Sequence, residues 1–249
     1  MELKRRKLQG ALNILSFNRH FYVLGLVVLT LIIGSQYVFN WHEGLFWLVI
    51  CGFLYGLSLP LIVSAYVYDL SGFYNFEWLK KMNLEDADHK LNLNINAGFD
   101  ETSYIIKSIL PKSELQVYDF YDAKQHTEPA IIRARKVSMV YPNTQQIDST
   151  RIPLEEHSVD TIFLISAVHE IRKLEEKIAF LKECRGVCKP SSEVIMVEHL
   201  RDFPNLLAFS IGYTHFFSKA VWKKAFTEAG FTSINETKFT PFMSIFKCN

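Results

Sequence analysis

IDSTRIPLEEHSVDTIFLISAVHEI, residues 147–171, is the stretch whose reading decides the fold. Within it VDTIFLISA (159–167) is an apolar run of strand length, the pattern of a central strand covered on both faces. Working outward, LEEKIAFLKECRGVC (174–188) has helical periodicity and stops at Lys189-Pro190, and EVIMVEH (193–199) reads as the following strand. Upstream, LNLNINA (91–97), LQVYDFY (115–121) and TQQID (144–148) read as strands, with the helix ETSYIIKSIL (101–110) between the first two. Downstream, SKAVWKKAFTEAG (218–230) reads as a helix, and FTSINETKF (231–239) and FMSIFKC (242–248) as the closing strands. Alternating strands and helices imply parallel βαβ units, an α/β sheet with helices on both faces. The last two strands are joined by a short turn near Thr240-Pro241, so they must run antiparallel to each other.

A different solvent is written into the N-terminus. FYVLGLVVLTLIIGSQYVFN (21–40) carries no charge, and about 20 such residues at 1.5 Å each cross a ~30 Å hydrocarbon core. A second apolar run, LFWLVICGFLYGLSLPLIVSAYVY (45–68), follows after only WHEG, which predicts a tight hairpin of two transmembrane helices, the second kinked at Pro60. A cleaved signal peptide fits less well, because the first run is too long, lacks a small-residue cleavage pattern and is followed at once by another span. Lys4, Arg5, Arg6, Lys7 and Arg19 precede the first span, whereas the loop bears only His42 and Glu43. The positive flank places the N-terminus and the chain after the second span on the cytoplasmic side of the inner membrane, with Lys80 and Lys81 as a weaker signal of the same sense. The expected organisation is a basic segment and anchor (1–70), a juxtamembrane linker (71–89) and an α/β domain (90–249). The aromatic stretch DLSGFYNFEWL (69–79) fits either an interfacial belt or the lining of an entrance from the bilayer.

With 27 Lys and Arg against 26 Asp and Glu, the net charge of +1 offers no basic stripe for nucleic acid. Cysteines at 51, 184, 188 and 248 do not form a disulfide framework, and the spacing of Cys184 and Cys188 on a helix predicts buried thiols.

Three stretches carry a family resemblance over residues 90–249. The segment 147–171 has an acid after the third strand, a Pro-Leu step and a D-x-apolar fourth strand; FLKECRGVCKPSSEVIMVEH (180–199) has a helix, a Lys-Pro turn and a fifth strand; HFFSKAVWKKAFTEAGF (215–231) has a Trp-containing helix ending in Ala-Gly-Phe. Together they resemble the class I S-adenosylmethionine-dependent methyltransferases, particularly the branch of quinone and small-lipid methyltransferases. The resemblance implies a Rossmann-like, doubly wound, mostly parallel sheet with an antiparallel C-terminal hairpin, and S-adenosylmethionine as cofactor. It places Asp119 on the cofactor's ribose hydroxyls and Asp148, with Ser149 beside it, on the adenine amino group. In the first loop the family's Gly-x-Gly-x-Gly is Asn96-Ala97-Gly98-Phe99-Asp100, where only Gly98 is kept. Asn96 tolerates the positive φ such a turn requires, and Asp100 or Glu101 is expected to meet the cofactor's amino group.

Methyl transfer draws much of its rate from positioning, with the reactive group carried by the cofactor. A base, where one is needed, would come from the strand ends: His169 and His199 are the expected catalytic pair, and Glu198, Tyr213 and His215 the expected substrate-binding residues. His169, Glu170 and His199 can also be read as a metal cluster, but no tight ligand motif supports it, so no metal is expected. A membrane tether favours a lipid-borne acceptor by raising its effective concentration: a quinone-like phenol, a lipid or an aryl-polyene precursor. NLLAFSIGYTHFF (205–217) is apolar enough to cap such a molecule, or to pack as a helix on the sheet. The rival reading is a non-catalytic membrane scaffold with a degenerate fold. Side chains closing the space around Gly98 would favour the scaffold, and an open cleft bounded by Asp119 and Asp148 the enzyme. Nothing in the sequence sets the oligomeric state.

Overall fold

A computed structural model describes residues 5–82 and 84–249; Lys4, counted above in the basic flank, lies outside them. Seven strands form one sheet: β1 (Leu91–Asn96), β2 (Glu114–Asp119), β3 (Gln145–Gln146), β4 (Val159–Ile165), β5 (Cys188–His199), β6 (Ile234–Thr240) and β7 (Met243–Cys248). Their spatial order is β3-β2-β1-β4-β5-β7-β6, with β7 antiparallel to both neighbours and every other pairing parallel. The order reverses between β1 and β4, so the crevice where such sheets take ligands opens at the carboxyl ends of these two strands. Two boundaries differ from expectation. β3 is only two residues long, and β5 begins at Cys188 rather than at 193. Pro190 ends helical geometry but is tolerated in a strand where the pairing slips, here between Val159 and Thr161.

The two faces of the sheet are covered differently. On one, Ile162, Leu164, Val194 and Met196 pack against α7 (Leu174–Val187) and α9 (Lys219–Glu228), which contribute Phe180, Leu181, Trp222 and Phe226. On the other, Phe163, Ile165, Ile195, Val197 and Ile245 meet α5 (Ser103–Ile109), α8 (Phe203–Phe209) and a stretch of chain from the N-terminal third. That stretch includes Val63, Val67, Phe73, Phe76, Trp78 and Leu79; Phe73 is 1% exposed and Phe76 0%. The aromatic segment expected as a juxtamembrane linker is therefore part of the cover of this sheet face, with Phe73, Phe76 and Trp78 in its core. Each such ring contributes about 1.5–3 kcal/mol by burial.

The N-terminal third comprises α1 (Gln9–Phe17), α2 (Arg19–Phe39) and α3 (Glu43–Ser64), the last continuing through a π-helical turn, Ala65–Leu70, and a short 3-10 turn, Phe73–Asn75, into α4 (Glu77–Lys80). α2 and the helix begun by α3 are each long and apolar enough to cross a membrane. No residue of α2 is buried, and in α3 only Ile50, Val63 and Ser64 are. The two form the expected hairpin, and Gly25 lies so close to Leu57 that a Cβ would come within 2.8 Å of its Cδ2. α1 lies against the domain: the Asp69 carboxylate accepts from the N–H groups of Gly10 and Ala11, two donors a helix start leaves open. Arg5 pairs with Glu101 at 2.9 Å and stacks on the Tyr74 ring, so its charge is spent inside the protein rather than on a membrane flank. Among the cysteines, Cys51 is exposed on α3 and the other three are buried free thiols.

Candidate cofactor and acceptor site

β1 alternates apolar residues on one face with Asn92, Asn94 and Asn96 on the other, all three buried. The asparagines build the loop that follows. Asn94 Nδ2 donates to Thr102 Oγ1 and Ser103 Oγ, while Asn96 Oδ1 accepts from the Gly98 N–H at 2.7 Å. This Asx turn, not a positive φ at Asn96, is how the loop turns with a single glycine; Gly98 itself has φ +80°. Asp100 Oδ1 accepts from the N–H groups of Thr102 and Ser103 and so starts α5. Its Oδ2 and the Asn96 Nδ2 are buried without a hydrogen-bond partner. Glu101, the alternative contact for the cofactor's amino group, is held by Arg5, the Tyr74 hydroxyl and Asn13.

Asp119 ends β2 and both its oxygens are engaged. Oδ1 accepts from the Tyr121 N–H, and Oδ2 accepts from Arg135 Nη1 at 2.6 Å. Arg135 closes α6 (Pro129–Arg135), lies over the Tyr121 ring at 4.0 Å and donates to the Ala97 carbonyl. A Cβ at Gly98 would collide with its guanidinium. The space beside Gly98 is therefore closed by a side chain, the outcome that favoured the scaffold. α6 also reaches the anchor, because Arg133 donates to the Phe17 carbonyl and Phe17 packs edge-on against Phe99 at 5.3 Å. Asp148 follows Ile147, whose N–H donates to the Asp119 carbonyl, but its own carboxylate makes no hydrogen bond to this group. It is exposed, and its Oδ1 accepts from Thr150 N and Oγ1, which holds its carboxyl below the usual range. Ser149 is buried and donates to Glu176 of α7.

The two histidines expected to act together have different surroundings. His199, at the end of β5, is fully hydrogen-bonded: Nδ1 faces the Phe242 carbonyl at 2.9 Å, and Nε2 faces the Tyr68 hydroxyl at 2.8 Å. These partners assign the proton to Nδ1, and burial pushes the group down to about 4 despite Asn205 and Glu198. His199 is a neutral pin that joins the closing hairpin to the π-helical turn after α3. His169 lies in the 3-10 turn Val168–Glu170 just past β4, with Nδ1 2.8 Å from Glu198 Oε2 and Nε2 3.4 Å from Glu170 Oε1. Burial would lower it, but Glu198 and Glu170 outweigh that and push it up to about 10. A histidine that already holds its proton cannot accept another, so neither member of the pair is a free base at neutral pH. Of the expected substrate residues, Glu198 is buried beneath His169, while His215 and the half-buried Tyr213 lie in the turn Ser210–His215. His215 stacks edge-on with His169 at 5.0 Å. Sequence reasoning missed Glu128, which pairs with His215 at 2.9 Å, and Ser166, at φ +49° with a buried, unpartnered hydroxyl at the end of β4. No motif marks either.

Residues 117–196 match the methyltransferase domain family. A highly reducing polyketide synthase of Pyrenophora dematioidea is 30% identical over 91 residues, which are 31% of this chain and 3% of that protein, so the chain spans a small fraction of the relative's length. Among solved structures, an S-adenosylmethionine-dependent methyltransferase from Aquifex aeolicus superposes with a TM-score of 0.52 at 17% identity, over 72% of this chain and 93% of the other. Human N-acetylserotonin methyltransferase, solved with S-adenosylmethionine, gives 0.51 at 14% over 77% and 55%. Geranyl diphosphate C-methyltransferase from Streptomyces coelicolor A3(2), solved with Mg2+, geranyl diphosphate and S-adenosyl-L-homocysteine, gives 0.50 at 7% over 70% and 77%.

This is the class I methyltransferase fold. The cofactor that belongs with it is S-adenosylmethionine. In this class I fold the residues at the end of β1 suit that cofactor in three respects: a glycine at positive φ, an acid ending β2, and two buried polar atoms, Asn96 Nδ2 and Asp100 Oδ2, that lack partners. Buried groups of this kind are costly when left unpaired, and a ligand that hydrogen-bonds to them removes the cost. Arg135 fills the space beside Gly98 and holds Asp119.

Proposed function

We propose that this chain is a membrane-anchored, S-adenosylmethionine-dependent methyltransferase acting on a hydrophobic, membrane-borne acceptor such as a quinone-like phenol, a lipid or an aryl-polyene precursor. The observation that carries the acceptor class is the height of α8. The Tyr55 hydroxyl, in the middle of α3, donates to the Leu207 carbonyl. Tyr55 lies nine residues before Ser64, a rise of about 13 Å along a helix. If α3 spans the bilayer, α8 and the turn after it dip well into the hydrocarbon layer. The side chains it carries there suit that solvent: Phe203 is 69% exposed, Leu207 48% and Ile211 84%. An acceptor dissolved in the membrane would meet this segment first and be led along it to His215 and the carboxyl ends of β4 and β5. Arg6, Lys7 and Arg19 support the cytoplasmic side by the positive-inside rule, and the Arg5–Glu101 pair keeps the N-terminus on the same side as the domain.

In this reading Asp119 holds the ribose hydroxyls once Arg135 has moved, Asp148 Oδ2 receives the adenine amino group, and Asn96 and Asp100 meet the methionine end. The cofactor when bound supplies the methyl group. The chain's part is to orient the acceptor and exclude water, since its histidines are committed elsewhere.

One observation favours the alternative of a scaffold without catalysis: Arg135 fills the space beside Gly98. Calorimetric titration of S-adenosyl-L-homocysteine into the detergent-purified full chain separates the two. Micromolar binding that is lost in Asp119→Ala is the expected result for the enzyme. Absence of binding in both the natural chain and Arg135→Ala would establish the scaffold instead.

A further inference from the structure

Beyond the cofactor crevice, the carboxyl ends of β4 and β5 gather titratable side chains that methyl transfer does not use. His169, Glu170 and His215 each offer a ligand atom, and the three atoms lie within 4.8 Å of one another. The geometry points to a divalent transition-metal site formed by these three residues.

The histidines are oriented for it from behind. His169 Nδ1 faces Glu198 at 2.8 Å and His215 Nδ1 faces Glu128 at 2.9 Å. A carboxylate that accepts the Nδ1 proton fixes the ring's orientation and leaves Nε2 to the metal, which displaces any proton there, the arrangement that stands behind most metal-binding histidines. Both rings therefore present Nε2 to the gap. Glu170 closes the triangle: its side chain is 8% exposed, Oε1 lies 3.4 Å from His169 Nε2, and Oε2 is buried with no partner. Arg172 donates to the backbone carbonyls of both His169 and His215, so the two ligand-bearing turns are clipped together.

Charge argues the same way. Glu170 and Glu198 are both buried against one imidazole, and two buried carboxylates need positive charge beside them. A divalent cation held by His169, Glu170 and His215 supplies it and also satisfies the orphaned Glu170 oxygen. Two imidazole nitrogens and one carboxylate suit Zn2+, Mn2+ or Fe2+ rather than Ca2+ or Mg2+. At ~2.1 Å per ligand bond, tetrahedral ligands stand ~3.4 Å apart, so the site needs only small side-chain adjustments. Three protein ligands leave a coordination position for an oxygen of a small molecule.

The test needs neither cofactor nor acceptor, so its result stands apart from the methyl-transfer reading. The untagged full chain in detergent is stripped with chelator and titrated with Co2+, followed by its visible ligand-field absorption, and with Zn2+ by calorimetry. One equivalent should bind with micromolar or tighter affinity. Glu170→Gln and His215→Ala should each weaken it at least 100-fold at unchanged circular dichroism, and Glu198→Gln, which acts through His169, about 10–100-fold. Lack of a saturable Co2+ spectrum in the natural chain overturns the site, as does binding that survives both ligand variants. If a ligand variant fails to fold, Co2+ competition against Zn2+ in the natural chain, read by the histidine-nitrogen couplings in electron-nuclear resonance, decides the matter: two coupled nitrogens are expected, and none refutes it.

Discussion

Replacing Arg135 by alanine is expected to strengthen cofactor binding, the reverse of what removing a conspicuous arginine from a binding cleft normally does. The Arg135–Asp119 contact is 2.6 Å, with side-chain exposures of 28% and 11%. A charge-assisted hydrogen bond of this kind is worth roughly 1.5–3 kcal/mol net. On the proposed reading, the ribose must take Asp119 from Arg135, so that amount is subtracted from the binding free energy of the natural chain. Relieving it should tighten S-adenosyl-L-homocysteine by about 10- to 150-fold, at 1.4 kcal/mol per decade. The same change should lower the melting temperature of the ligand-free protein, because the Asp119 carboxylate is then left with only the Tyr121 N–H. Arg135→Lys should fall between, keeping a charge without the planar fork. Calorimetry on the full chain measures all three. Unchanged or weaker binding in Arg135→Ala would refute the displacement and mean that Arg135 contacts the ligand instead of competing with it.

Two further outcomes follow from the packing. Lys177 is fully buried, its Nζ lies 3.5 Å from the Phe217 ring centroid with no hydrogen-bond partner, and burial followed by Arg172 pushes it down to about 7. Because the folded value lies below the unfolded ~10.4, the unfolded chain holds more protons between pH 7 and 10, and stability rises with pH across that window by roughly 2 kcal/mol from pH 7 to 9. Lys177→Met should abolish that slope in denaturant titrations, and retention of it would assign the slope to another group. Phe73→Ala removes a ring that is 1% exposed from the core beneath the sheet and should cost about 3–5 kcal/mol; a loss under 1 kcal/mol in thermal melts would show that the segment is a linker after all.

The parts of the fold legible in the sequence are those where one physical constraint dominates. A strand covered on both faces must be continuously apolar, so 159–167 is unambiguous, and two uncharged apolar runs of about 20 residues read as helices of membrane-spanning length, so the hairpin is too. The closing strands are forced antiparallel by the shortness of their turn. What could not be read were pairings between distant positions. Arg135 sits in a mixed basic segment, and nothing local says that its partner is Asp119. His169 and His215 are separated by α7, β5 and α8, so His199, which like His169 follows a central strand, looked like the better companion. The aromatic run 69–79 was ambiguous for a physical reason: Phe, Tyr and Trp suit a membrane interface and a protein core equally well, and only the sheet face left bare by the other helices decides between them.

The helix begun by α3 does not end at the domain's surface, because the chain that continues it becomes part of the domain's interior at Val63, Val67 and Phe73. Most tethered catalytic domains can be cut free at a flexible joint and studied in solution. Here there is no such joint among the described residues: a protease or an engineered truncation anywhere between 60 and 80 would strip one side of the sheet rather than release an intact α/β domain. α3 and the α/β domain are consequently one folding unit, and any shift of α3 along its own axis is felt directly under β4 and β5.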